Sequence, residues 1–186
     1  RGYHELSALT NRESLGTHIN SQSYCGGLYD RGSGQIQPLK YLMGLALANL
    51  NAGTHILEHS RVMKMDRGVK KTLHFQNAPP LTARRVVLCG NAYLTNIGLR
   101  DMSRRLAKVT SSVLATTPLS DNMIQHILPS RATVADCNTA LNYYRIDADN
   151  RMIFGGRASY TNLSIGNIEA DLRRRMVAVF PVLENS

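Results

Sequence analysis

Apolar positions recur at helical spacing most clearly between Pro38 and Leu50. In PLKYLMGLALANL, the residues Leu39, Leu42, Met43, Ala46, Leu47 and Leu50 fall at three- and four-residue steps. That is the pattern of a helix with one buried face. Pro38 suits the first turn, Gly53 suits the left-handed residue beyond the end, and Gly44 leaves room for a close neighbour. A second helical pattern closes the chain in NIEADLRRRMVAVF. Asn167 stands as its cap, Glu169 and Asp171 lie in the first turn and arginines follow, the order that the helix dipole favours. Ile168, Leu172, Met176 and Val179 form its predicted buried stripe, with Arg173, Arg174 and Arg175 outside.

Between these helices the period shortens. THILEHSRVMKM, VKKTLHF and RVVLC read as short strand segments, with Pro79-Pro80 breaking the chain before the third. Residues 108–116 and 141–146 have strand composition, and RMIFGG pairs with the latter as a hairpin across DADN. Near the start, residues 4–15 read as weakly helical and 24–29 as extended, and DRGSG is a turn by composition. RVVLC, ending in Gly90, reads as a parallel strand of a nucleotide-binding sheet. Such a sheet normally opens with a glycine-rich phosphate loop, and neither G-x-G-x-x-G nor a Walker loop occurs in the sequence. The expected class is α+β, a mixed α/β arrangement rich in antiparallel pairs.

Composition narrows the class. The 186 residues, 43% apolar, suit a globular protein of about one domain. No apolar run reaches the roughly 20 residues of a membrane span, and the first residues are neither a signal core nor a transit peptide, so a cytoplasmic protein without a membrane partner is expected. Cys25, Cys89 and Cys137 match no metal spacing and are expected as buried or half-buried reduced thiols. The net charge of +9 is spread over short basic clusters, and aromatic residues make up only 6%. That scatter argues for solvated faces or an anionic ligand rather than a nucleic acid.

HILEH, His55 to His59, matches an inverted zinc-protease pattern, which requires a helix to bring both histidines onto one ion. The stretch follows a helix-ending glycine and reads as a strand, where the two histidines stand roughly 13 Å apart. No metal is expected. No nucleophile elbow or catalytic triad is apparent, so no side chain is assigned a catalytic role.

Taken in order, GGLYDRGSGQIQPLKYLMGLALANLNAGTHILEHSRV, ARRVVLCGNAYL, LATTPL and NYYRIDADNRMIFGG resemble the FAD-dependent oxidoreductases of the D-amino-acid oxidase superfamily, and within it the gamma-glutamylputrescine oxidase branch. The likeness runs from Tyr24 to Leu183, including a closing helix that ends in FP-x-L. It implies the middle portion of such an enzyme, without the phosphate loop: one compact unit over 1–186, with about 24–100 contributing to the FAD-binding part, about 105–160 forming the substrate-domain sheet, and 167–183 the closing helix.

For function, the resemblance implies oxidation of a C–N bond to an imine, with FAD as cofactor, O2 as acceptor and a small amine or amino acid as substrate. The flavin does the redox chemistry and the protein orients. It places Val62, Cys89, Gly90 and Asn91 near the cofactor, and Tyr143, Tyr144 and Arg145 on the strand facing the substrate, where a planar guanidinium can grip a carboxylate. A chain lacking the loop is expected to be inactive alone and to pair with missing segments of the same enzyme or with a second copy. The alternative is a non-catalytic binding or oligomerising domain derived from such an oxidase.

Overall fold

The computed structural model describes residues 4–97, 102, 104–159 and 166–184. Where the sequence suggests one unit, contacts gather the chain into two, residues 1–37 with 110–186 and residues 38–109.

The first unit is built on a four-stranded antiparallel sheet. Its strands are β6 (Thr110–Ala115), β7 (Val134–Ala135), β8 (Tyr143–Ile146) and β9 (Met152–Ser159), in the order β6-β9-β8-β7. The expected hairpin is present: Ile146 pairs with Met152 and Tyr143 with Gly155. Its turn is closed by Asp147, whose side chain accepts from the Asp149 and Arg151 amides at 2.9 Å each. The core face carries Leu114, Phe154, Tyr144 and Val134 in register, with Ile146 and Met152 beyond. Against it packs the closing helix, Ile168–Val179, with Leu172, Met176 and Val179 buried. The Asn167 side chain accepts from the Ala170 amide, so the predicted cap holds; of the predicted stripe Ile168 is only half-buried, and Arg175, expected outside, is half-buried too.

A helix not anticipated from the sequence, Asp121–Ile127, adds Ile124 and Ile127 to this core. Its signal was present: Ser120 caps it by accepting from the Met123 amide, Asp121 lies in the first turn, and Ile124, Ile127 and Leu128 follow at helical steps. Residues 4–15 are not one helix. They form strand β1 (Leu6–Leu9), paired antiparallel with β2 (Gly27–Asp30), and a single short helix, Arg12–Gly16, closed by a capping box between Asn11 and Ser14. DRGSG turns as expected, Asp30 accepting from the Gly32 amide and the Ser33 hydroxyl.

The second unit holds the long helix Pro38–Asn51 and the antiparallel sheet β3 (Val62–Asp66), β4 (Lys71–Phe75) and β5 (Leu81–Ala83). The helix has its predicted start and end, with Gly53 at φ 82°. Its predicted buried face does not exist here. No residue of the helix is buried, Leu39, Leu42, Met43 and Leu47 are each about 60% exposed, and nothing lies within 4 Å of a Cβ placed on Gly44. Periodicity reports which face wants cover, and supplies no covering element. Accordingly, Leu42→Lys combined with Leu47→Lys is expected to change the unfolding free energy of this chain by no more than about 0.5 kcal/mol in a urea titration. A loss on the order of 2 kcal/mol would mean that the face is packed.

Three further expectations fail in this unit. RVVLC is not a strand, because no ladder partner pairs with it among the described residues, and every described pairing is antiparallel. HILEH is neither strand nor helix: it ends in a turn at Glu58 and His59, with His59 at φ 54°. Among the described residues no group of His, Cys, Asp and Glu could hold a metal. Cys25, Cys89 and Cys137 are free but exposed, since each lies outside the ladders and helices that bury side chains.

Candidate functional site

Two surfaces, one in each unit, carry the residues singled out from the sequence. In the second unit a cavity of about 680 Å3 is lined by Arg61, Val62, Leu73, Val86, Val87, Leu88, Cys89, Gly90, Tyr93, Leu94 and Ile97. Val62 opens β3, where it pairs with Phe75, and a bulge follows before Lys64. A bulge re-aims the strand at that point. Val62 and the adjacent pair Cys89-Gly90, distant from it in sequence, thus meet at one cavity. Asn91 begins the 3-10 segment Asn91–Asn96 and is not among the lining residues.

The glycine is required here for a reason different from the expected one. Gly90 has φ −82°, which any residue can adopt, and the left-handed turn is made by Asn91 at φ 47°. Yet a Cβ on Gly90 would stand 2.8 Å from Leu94 Cδ2. Gly90 therefore admits the Leu94 side chain, the one large apolar residue buried in this unit among those described. The lining is mostly aliphatic. The space beside the Gly90 Cα is filled by leucine rather than open to a phosphate.

In the first unit the two-residue strand period sorts the three substrate-side candidates. Tyr144 points into the core. It is 1% exposed, stacks on Phe154 at 5.3 Å between ring centres, and meets Phe180 edge-on at 5.4 Å. Its hydroxyl donates to Tyr24 Oη at 3.1 Å, and Tyr24 Oη donates to Asp136 Oδ2 at 3.5 Å. Burial raises the pKa of both phenols, most strongly that of Tyr144, so the chain of hydroxyls stays protonated. Tyr144 is a core residue and not a pocket wall.

Tyr143 and Arg145 share the opposite face. Tyr143 lies over Gly155, its cross-strand partner, where a Cβ would come within 2.3 Å of the ring. Beside it Gly156 gives room to the Asn142 amide, whose Oδ1 would stand 2.8 Å from a Cβ at that position. The pair FGG is thus explained by its neighbours across the hairpin. Arg145 donates from Nη1 to the Ile36 carbonyl at 2.6 Å and has no carboxylate partner among the described residues. A half-buried guanidinium held by one neutral acceptor keeps donors for an incoming carboxylate.

Residues that sequence reasoning missed are Arg61 and Tyr93. Arg61 precedes Val62, and the Tyr93 amide donates to the Gly90 carbonyl, placing it one 3-10 turn beyond the glycine. Adjacency to positions already singled out was the available signal.

The family described as "DAO: FAD dependent oxidoreductase" matches residues 2–186. "Probable oxidoreductase OrdL" of Haemophilus influenzae is 34% identical over 99% of this chain and 42% of its own length. "Gamma-glutamylputrescine oxidoreductase" of Escherichia coli is 28% identical over 95% of this chain and 41% of its own. The chain thus spans about two-fifths of the curated relatives it matches. Among solved structures, glycine oxidase from Geobacillus kaustophilus shares the fold, with a TM-score of 0.72 at 19% identity over 96% of this chain and 47% of that one. No helix among the described residues is long and apolar enough to cross a membrane.

Proposed function

This chain belongs to the DAO family of FAD-dependent oxidoreductases, and from that membership we propose that it carries two working surfaces of an amine or amino-acid oxidase. One is a seat for the adenine end of FAD, in the cavity at Val62, Cys89 and Gly90. The other is a substrate-facing sheet at Tyr143 and Arg145. The observation that carries this reading is the meeting of Val62, Cys89 and Gly90 at one largely aliphatic cavity.

When bound, FAD supplies the two-electron chemistry on the carbon that bears the amine. The residues of this chain orient and exclude water. Tyr143 offers a flat wall fixed by the bare Gly155, and Arg145 offers paired donors to a carboxylate. In a substrate such as gamma-glutamylputrescine the carboxylate lies at the end away from the amine that is oxidised, so Arg145 would then anchor the far end.

The sequence holds no G-x-G-x-x-G segment, so the pyrophosphate lacks its usual seat in this chain. Titrated with FAD, the purified chain is expected to bind it no more tightly than a free adenine nucleotide, with an unchanged visible spectrum and no peroxide formed from amines. Amide NMR shifts on FAD addition should concentrate at Val62, Cys89 and Gly90. Shifts centred elsewhere would sink the placement, and a stoichiometric yellow protein would refute the incompleteness.

A further inference from the structure

The formal charge of the chain is divided unevenly between its two units. Residues 38–109 hold twelve Lys and Arg against three Asp and Glu, the whole of the +9, while the remainder holds ten of each. A surplus confined to one unit raises the local concentration of anions there. The same unit contains the cavity at Val62 and Gly90. Among the described residues lining it, Arg61 is the one charged group and there is no carboxylate. Arg61 is exposed and has no acidic partner among the described residues. Tyr93 is the one aromatic residue of that lining, and it is 78% exposed. A large ring left in solvent beside an aliphatic cavity offers an open face for stacking, and a planar base can use it whatever its edge pattern.

Resting on the adenine seat proposed above, we propose that Tyr93 and Arg61 form a clamp at the mouth of this cavity. Tyr93 stacks on the purine and Arg61 takes the phosphate of an adenine nucleotide. The clamp lets this chain bind an adenine mononucleotide without a phosphate loop. Neither residue supports the fold: both side chains are exposed, and Tyr93 is tied to its turn through the backbone bond to Gly90.

The test is calorimetric titration of the whole chain with AMP and with adenosine, in wild type, Tyr93→Ala and Arg61→Gln, with circular dichroism to show that each variant keeps its structure. Wild type is expected to bind both ligands. Tyr93→Ala should weaken AMP and adenosine alike, by about tenfold. Arg61→Gln should weaken AMP and leave adenosine unchanged, and should also flatten the dependence of AMP affinity on salt. If wild type binds AMP and both variants bind it equally well, the clamp is wrong while the adenine seat survives. If wild type binds neither ligand, the seat itself is wrong and the clamp falls with it. If AMP is bound but equally displaced by any short RNA with a steep salt dependence, the basic unit is a polyanion surface and the clamp is overturned.

Discussion

Phe154→Ala is expected to cost about 3–5 kcal/mol of folding free energy, a large part of the total stability of a domain this size. Phe154 is fully buried on the core face of the four-stranded sheet, between Leu114 of β6 and Tyr144 of β9's other neighbour, β8. Its ring stacks nearly parallel to that of Tyr144, at an interplanar angle of 4°, and Tyr144 also meets Phe180 edge-on. Deleting the ring removes apolar burial and leaves a void that three strands and the closing helix cannot all move to fill. Denaturant titration, read as a shift in midpoint at constant slope, measures the loss. Val113→Ala on the opposite face, where Val113 is 59% exposed, serves as control and should stay within about 0.5 kcal/mol. A loss below about 1 kcal/mol for Phe154→Ala would mean that the core closes over the gap.

The consequence reaches the proposed substrate face. Tyr143 and Arg145 flank Tyr144 on the same short strand, and what fixes that strand in depth is the buried ring between them. A packed inner face is therefore the support on which the outer face can hold a substrate within tolerance.

This division of one strand into a core face and a proposed substrate face shows what the sequence could and could not tell. NYYRI forms a strand as its composition suggests, but the resemblance put all three side chains on the substrate side, whereas the two-residue period turns Tyr144 inward. Local signals did well where the reason was local: the cap at Asn167, the turn after Asp147 and the left-handed Gly53 all depend on neighbours a few residues away. They failed where the reason was distant. RVVLC has strand composition, but pairing requires a second strand, and helix Pro38–Asn51 has a stripe that no described residue buries. Gly90 lies between these cases. Its importance was legible, but its reason, the Leu94 side chain, is a matter of packing.

Asp136→Ala should be the second most damaging change, at about 2–3 kcal/mol. The Asp136 carboxylate organises the loop that leads into β8. Oδ1 accepts from the Asn138 amide at 3.1 Å and the Asn142 amide at 2.9 Å, and Oδ2 accepts from both asparagine side chains, at 2.7 and 2.8 Å. Asn142 is buried, and its Oδ1 has no donor among the described residues, so Asp136 orients that amide against Gly156. Removing the carboxylate would strand a buried N–H, and each bond to a charged acceptor is worth about 1.5–3 kcal/mol before non-additivity and partial exposure reduce the sum.

The pH dependence follows from the same contacts. Partial burial pushes the Asp136 pKa upward, but the four donors from Asn142 and Asn138 outweigh it and hold the carboxyl below its ordinary value. A group depressed in the folded state stabilises it above the unfolded pKa, about 3.9, and that contribution is lost as pH falls through the folded value. Asp66, lowered by its bonds from Lys64 and His74, adds a limb of the same sign. Asp136→Asn separates the two. Its amide can still bond to Asn142 if that side chain flips, so the loop survives, but it no longer titrates. Stability of Asp136→Asn should therefore fall less steeply than wild type below about pH 4. Parallel acid limbs in the two proteins would show that the carboxylate is already protonated alike in folded and unfolded chains, and that its hydrogen bonds from the two asparagines do not select the charged form.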